Sequence, residues 1–244
     1  MFRAVNQRLI HCNPFENTKY EKEEQKIRFL QKGDVMKLMA MSMNDKEAEL
    51  ARLMFIFSCF TGLAISDMEN LKYSHIQMAA DGQRFIRKER QKTKVEFVVP
   101  LHPIAEAIIN YYRKELARNE EQQTVKEKGD SLVFQPHYSR SVMGKNLSIV
   151  GKACGIRQRL SYHVARHTFG TMSLSAGIPI ESIAKMMGHA SISSTQVYAQ
   201  VTDNKISKDM DRLIAKQSAK EKEIAEREAC ELSDIIPYKM EETA

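Results

Sequence analysis

The hydrophobic period of this chain changes twice, and that change restricts the fold more than any other feature. From Leu30 to Phe60 the apolar residues recur at helical spacing: Val35, Leu38 and Met39, then Leu50, Leu53, Met54 and Phe57. Thr61-Gly62 breaks the second of these helices. A short helix is expected over Ser66–Leu71, with Ser66 as its cap and Glu69 three residues on in a capping-box pattern. The period then drops to that of strands. Tyr73–Met78, Arg84–Arg90 and Val95–Val99 read as three short strands. Asp81-Gly82 makes the first hairpin turn and the basic Gln91–Lys94 the second. After Pro100 the spacing is helical again, over Ile104–Asn119 and about Ser141–Cys154, with the polar loop Glu120–Asp130 between. A helix over His163–Ser175 ends at Gly177. Another opens at Pro179 and closes at Gly188. The expected fold is mainly α with one small antiparallel three-stranded sheet inserted early, an α+β arrangement without internal repeats.

The ends of the chain read differently from its middle. Residues 1–20 look like the end of a helix (Phe2, Val5, Leu9, Ile10) running into Asn13-Pro14-Phe15, and Asn17–Lys26 reads as a charged linker. Lys205–Glu231 reads as a charged helix with a thin apolar stripe of Ile206, Met210, Leu213 and Ile214. Such a stripe is too narrow for a core helix and suits docking on a neighbouring surface, in trans or on the same chain. Cys230–Ala244 reads as a flexible end. The expected division is 1–26 as the end of a preceding segment with its linker, 27–203 as the working domain, and 204–244 as a helix and tail for contacts between protomers.

Charge follows the same division. The 244 residues carry a formal +6, but residues 1–204 hold 29 basic against 21 acidic groups, and those after them 8 against 10. A basic body suits a polyanion, because Lys and Arg contacts to phosphate release counterions. A merely soluble basic surface is the plainer alternative. Cys12, Cys59, Cys154 and Cys230 are scattered and form no CxxC pair, so neither a zinc site nor a disulfide framework is expected. No signal peptide or membrane-length apolar run stands out, and a cytoplasmic protein without membrane contact is expected.

The chemistry lies in the last eighty residues. His163, Arg166 and His167 share one helix face at i, i+3 and i+4. Two His at that spacing can hold zinc, but the metalloprotease version needs a Glu after the first His, and Val164 stands there. No metal and no cofactor are expected. Gly188-His189 follows, and Tyr198 comes nine residues after His189. A phenol with a pKa near ~10 is a poor nucleophile at neutral pH unless positive charge or a base lies close. Ser193-Ser194-Thr195 offers caps for a helix whose first turn would hold Tyr198, where the helix dipole favours the phenolate. Two imidazoles and a guanidinium converging on a phenol suggest phosphodiester exchange through a phosphotyrosine link.

At this point the sequence resembles the tyrosine recombinase (phage integrase) family. His163-x-x-Arg166-His167, Met187-Gly188-His189, Ser191–Thr195 and Tyr198 match its C-terminal signature. Phe60-Thr61-Gly62-Leu63 with Ser66-Asp67 and Leu71 resembles its first box. Gln91-Lys92-Thr93 with Val99-Pro100-Leu101 resembles its lysine hairpin, and Asn13-Pro14-Phe15 its interdomain linker. The resemblance implies that Tyr198 attacks the scissile phosphate and becomes joined to the 3′ end. It implies that Arg166 contacts the non-bridging oxygens, His163 moves protons at the nucleophile, Lys92 protonates the departing 5′ oxygen, and His189 hydrogen-bonds the phosphate. His167 and Asp67 would support these groups from behind. The implied partners are double-stranded DNA and further copies of the chain in a tetrameric synapse, and the family also admits an accessory DNA-bending protein. The implied segments 1–26 and 204–244 would then be the end of a core-binding unit and a protomer-contact device.

One position departs from the pattern. The first box normally carries an Arg after Thr-Gly-Leu, and here that place is Ala64. Losing a preorganised charge of this kind costs on the order of 100- to 1000-fold in rate. Arg90 is the expected replacement, because it lies two residues before Lys92 and alternate strand residues share a face. A backbone contact to DNA or a solvated charge is the alternative for Arg90. Three functions stay open: a recombinase, a recombinase-derived DNA-binding regulator of weak activity, and a type IB topoisomerase-like strand transferase, whose long linker before the tyrosine this chain lacks.

Overall fold

The computed structural model describes residues 5–12, 27–120, 131–199, and positions 210, 211, 214 and 218. Its centre is the helix Lys46–Thr61, called α2, which follows α1 at Lys32–Ala40. Asp45 caps α2 by accepting from the Ala48 N–H at 2.8 Å, and Gly62 ends it in the left-handed region at φ 70°. Buried residues line α2 on nearly every side, among them Leu50, Ala51, Met54, Phe55, Ile56 and Phe57. A helix apolar all round must be covered all round. Here α4 (Pro103–Glu120), α5 (Arg140–Ala153) and α6 (Tyr162–Ser175) pack against it. Phe57 and Tyr112 both meet the Phe134 ring edge-on, at centroid distances of 5.1 and 5.3 Å. Each fully buried ring of this size contributes roughly 1.5–3 kcal/mol. The pair Arg52–Glu49, with an Nη2–Oε1 distance of 2.6 Å, ties α1 to this core, since Arg52 Nη1 also donates to the Leu38 carbonyl.

The three strands are Ile76–Met78 (β1), Arg84–Glu89 (β2) and Glu96–Pro100 (β3), paired antiparallel in that order. Ile86 faces Ile76 on one side and Val99 on the other. Asp81-Gly82 forms the first turn as expected, with Gly82 at φ 82° and Asp81 accepting from the Gln83 N–H. The helix α7 (Ile180–Met187) packs on β3, which brings the sheet to the C-terminal half of the chain. A short α8 (Ser193–Gln196) runs into a 3-10 turn at Val197–Ala199.

Four local expectations are corrected. The short helix α3 spans Ile65–Glu69 and begins after Ala64, so Ser66 lies inside it and caps nothing. Its start is set by the Gly62 turn, where the Ser58 hydroxyl donates to the Leu63 carbonyl. Tyr73–His75 is a 3-10 turn and not the start of a strand, because His75 Nδ1 accepts from the Lys72 N–H and curls the segment. The α8 helix starts after Ile192 without a side-chain cap, and Tyr198 lies beyond α8 in the 3-10 turn, outside any first helical turn. The second hairpin loop begins at Arg90, so Lys92 sits in the loop and does not share a strand face with it.

The expected charged linker at 17–26, the Asn13-Pro14-Phe15 segment before it and the tail at 230–244 lie outside the described residues, as does most of the expected helix at 205–231. Of that helix, Met210 and Ile214 are helical and each 53% exposed. Among the described residues no helix is long and apolar enough to cross a membrane.

Candidate active site

The helix α6 carries the site, and its capping fixes where the site begins. Ser161 caps it by accepting from the Val164 N–H, which places His163 and His167 one turn apart with ring centroids 4.1 Å from each other. Arg166, between them in sequence, is 5% exposed. Its Nη1 donates to the Gly62 carbonyl and its Nη2 to the Met187 carbonyl, the latter at 2.5 Å. The guanidinium therefore joins the end of α2 to the end of α7. Burial, with Arg90 next in effect, pulls its pKa down to about 10. It stays charged at neutral pH in a site of low polarity.

Tyr198 is buried against α6. Its ring lies over Gly170, where an added Cβ would come within 2.8 Å of the ring carbons. Its hydroxyl is 3.0 Å from His167 Nδ1. Burial raises the phenol pKa, against the smaller opposing pull of Arg166 and Arg90. Burial likewise lowers His167 to about 4, helped by His163 and Arg166. The pair is thus a phenol held against a neutral imidazole.

His189 follows the Gly188 cap. Gly188 is left-handed at φ 61°, and the His189 N–H returns to the Ala184 carbonyl at 2.9 Å, the six-to-one bond of a Schellman end. His189 Nδ1 meets Thr195 Oγ1 at 2.7 Å. Burial first, then Arg166 and Arg90, lowers its pKa to about 4. His163 is also lowered, by burial and then by Arg166 and Arg90.

The hairpin closes the other side. Arg90 crosses Gly188, with its Nη1 3.4 Å from the Gly188 carbonyl, and the Thr93 hydroxyl meets the same oxygen at 3.4 Å. Arg90 Nε lies 3.7 Å from Asp67 Oδ2 and has no hydrogen-bond partner among the described residues. Asp67, 1% exposed, accepts from the Gln91 N–H at 2.9 Å. So Asp67 holds the root of the hairpin and faces Arg90. Arg90 contributes electrostatically to His163, Arg166, His189 and Tyr198 alike. Ala64 lies half-buried at the head of α3.

The structure thus gathers His163, Arg166, His167, His189, Tyr198, Arg90 and Asp67. It does not gather Lys92, which is exposed in the hairpin loop with no ion pair or hydrogen bond among the described residues. Three contributors escaped the sequence reading. Lys88, 9% exposed, donates to the carbonyls of Asp67 and Asn70 and braces α3 from below. Its alternation with buried Ile86 was the available signal. Gly170 lies four residues after Arg166, and a helical wheel brings it to the same side. Thr195 reads as a cap in sequence, and nothing local reveals its contact with His189.

Beside the cluster runs a groove of about 690 Å³ lined by His163, His167 and the exposed Arg28, Arg140 and Arg159. Arg140 pairs with Glu69 at 3.2 Å. Among the described residues no group of three or more His, Cys, Asp or Glu is arranged to hold a metal ion. The arrangement can receive a singly charged anion: the guanidiniums of Arg166 and Arg90 both act on the Tyr198 hydroxyl.

Comparison with known proteins places these residues in a family. Residues 28–205 match the phage integrase family. A tyrosine recombinase of Pseudothermotoga lettingae is 28% identical over 194 residues, covering 78% of this chain and 63% of that protein. The tyrosine recombinase XerC of Anoxybacillus flavithermus is 28% identical over 204 residues, covering 81% of this chain and 66% of the relative. The chain therefore spans just under two thirds of the length of these relatives. Among solved structures, the XerH site-specific recombinase bound to palindromic difH substrate in a post-cleavage complex aligns with a TM-score of 0.62 at 18% identity, over 80% of this chain and 56% of that one. The catalytic domain of bacteriophage HP1 integrase aligns with a TM-score of 0.52 at 21% identity, over 76% of this chain and 95% of that one. These similarities show the fold.

Proposed function

The chain belongs to the phage integrase family, and on that premise we propose that it is a site-specific DNA recombinase that cuts and rejoins double-stranded DNA through a 3′-phosphotyrosyl link at Tyr198. The carrying observation is the Tyr198 hydroxyl, 3.0 Å from His167 Nδ1 and within the field of Arg166 and Arg90. The phenol oxygen attacks phosphorus, its proton passes to the His167–His163 pair, and the 5′ oxygen leaves. Arg166 and His189 donate to the non-bridging oxygens, whose charge grows in the transition state. Lys92 protonates the 5′ oxygen once the hairpin loop closes over bound DNA. One phosphodiester is exchanged for another, so rejoining needs neither nucleotide nor metal.

Arg90 takes the part of the arginine that Ala64 replaces. It arrives from the strand end across Gly188, and its Nε is left with a free donor beside Asp67. Residues 27–203 act as the catalytic unit, residues 1–26 lead out of a core-binding segment, and residues 204–244 dock on a neighbouring protomer in a tetrameric synapse in the cytoplasm. The groove with Arg28, Arg140 and Arg159 receives the DNA backbone.

The test uses nicked suicide duplexes chosen by the protein from a random-sequence pool. The wild-type chain is expected to form a denaturant-resistant adduct, and Tyr198→Phe to form none while binding DNA within a few-fold. Tight binding without an adduct would leave a DNA-binding regulator. Relaxation of supercoils without synapsis would leave a topoisomerase.

A further inference from the structure

The contact between Thr195 and His189 decides where the single ring proton of His189 sits. Burial, Arg166 and Arg90 keep this imidazole neutral at physiological pH. A neutral imidazole has one N–H and one lone pair. With the proton on Nδ1, Nε2 would present a lone pair to an incoming phosphate oxygen and repel it. With the proton on Nε2, the ring donates. Nδ1 lies 2.7 Å from Thr195 Oγ1, and Thr195 is 0% exposed. Among the described residues the Thr195 hydroxyl has no other acceptor, so a satisfied hydroxyl in this buried place donates to the Nδ1 lone pair. The Schellman end at Gly188 fixes the backbone from which His189 projects.

We propose that Thr195 is a positioning residue that holds His189 in the Nε2–H form and so makes it a donor to the scissile phosphate. The proposal rests on the recombinase reading. It adds a link between two parts of the reaction, because Thr195 lies three residues before Tyr198 and its N–H is bonded to the Ile192 carbonyl at 2.7 Å. The turn that carries the nucleophile is thereby tied to the imidazole that grips the phosphate.

The test has one readout independent of DNA. In protein labelled with 15N-histidine and assigned with His189→Gln, the wild-type spectrum is expected to show His189 protonated on Nε2. Thr195→Ser should keep that form, and Thr195→Val should lose it. In single-turnover cleavage at saturating DNA, Thr195→Val is expected to fall on the order of 10- to 100-fold, the range for removing a group that orients a functional imidazole. Thr195→Ser should recover to within a few-fold, with DNA affinity unchanged in both. A wild-type protein with His189 protonated on Nδ1 overturns the proposal, whatever the cleavage result. So does Thr195→Val cleaving at the wild-type rate. Failure of the wild type to form an adduct would instead remove the recombinase reading, and the spectrum separates the two failures without depending on the Val variant folding.

Discussion

Arg166 and Arg90 bring the same guanidinium to one site and are held in opposite ways. Arg166 comes from the middle of α6, and its two terminal nitrogens are taken by carbonyls at the ends of α2 and α7. Both helix ends turn through left-handed glycines, Gly62 at φ 70° and Gly188 at φ 61°, so backbone geometry is built around that one side chain. Arg90 comes from the end of a strand, its side chain 15% exposed, with one long contact of 3.4 Å to Gly188 and a distant Asp67. The difference separates two uses of one charge. Arg166 is a structural joint that also presents charge. Arg90 is kept near by electrostatics, with donor capacity left for a ligand.

If that contrast is right, replacing Arg166 has the largest effect and a double one. Arg166→Ala leaves two buried carbonyls without donors, at about 1–3 kcal/mol each. It also removes a preorganised phosphate contact, on the order of 100- to 1000-fold in cleavage. Urea unfolding and adduct formation should fall together. An Arg166→Ala protein as stable as wild type would break the claim that the residue joins the helices.

A smaller effect is expected at Gly170. An added Cβ would press on the Tyr198 ring at 2.8 Å, while Ala is the better helix former by about 1 kcal/mol. Gly170→Ala is therefore expected to stay folded and to cleave on the order of 10- to 100-fold more slowly, because the nucleophile is shifted. Unchanged cleavage would show that Tyr198 leaves α6 before it reacts.

A third expectation concerns stability with pH. His167 and His189 fall from 6.5 to about 4 in the folded protein. Their folded values lie below the unfolded ones, so the unfolded chain binds more protons as pH falls. Their contribution is complete above about pH 6.5 and is lost as pH falls toward about 4. Urea midpoints measured across that window should drop in the wild type and flatten in a His167→Gln, His189→Gln protein. A wild type with no drop would mean that these rings are not kept neutral by burial.

The sequence carried the helices and the sheet because each has a period, and it carried Tyr198, His189 and Arg166 because their spacing is fixed by short turns and by α6. The hairpin was legible as a hairpin. Its consequence was not, since Arg90 and Lys92 were read as strand neighbours while the loop starts at Arg90. Arg90 nevertheless joins the cluster by crossing Gly188, a contact between residues 98 apart that no local pattern encodes. The start of α3 departs from its local pattern for a related reason. Ser66 and Glu69 have the right spacing, but the preceding Gly62 turn starts the helix earlier, at Ile65. Lys88 shows the reverse case: strand alternation points it inward, and only the fold reveals the two carbonyls that accept from it.

Two arginines, Arg166 and Arg90, are expected to act on the phosphate although Ala64 stands where the family has an arginine. Single-turnover cleavage by wild type, Arg90→Ala, and Arg90→Ala combined with Ala64→Arg tests this claim most directly, at saturating DNA on a nicked suicide duplex. Arg90→Ala is expected to slow cleavage on the order of 100-fold, within the range for a lost preorganised charge, while DNA affinity and urea stability stay near wild type. The added arginine at position 64 should recover part of that loss. Equal cleavage rates for wild type and Arg90→Ala would contradict the claim and leave Arg166 as the sole guanidinium acting on the phosphate.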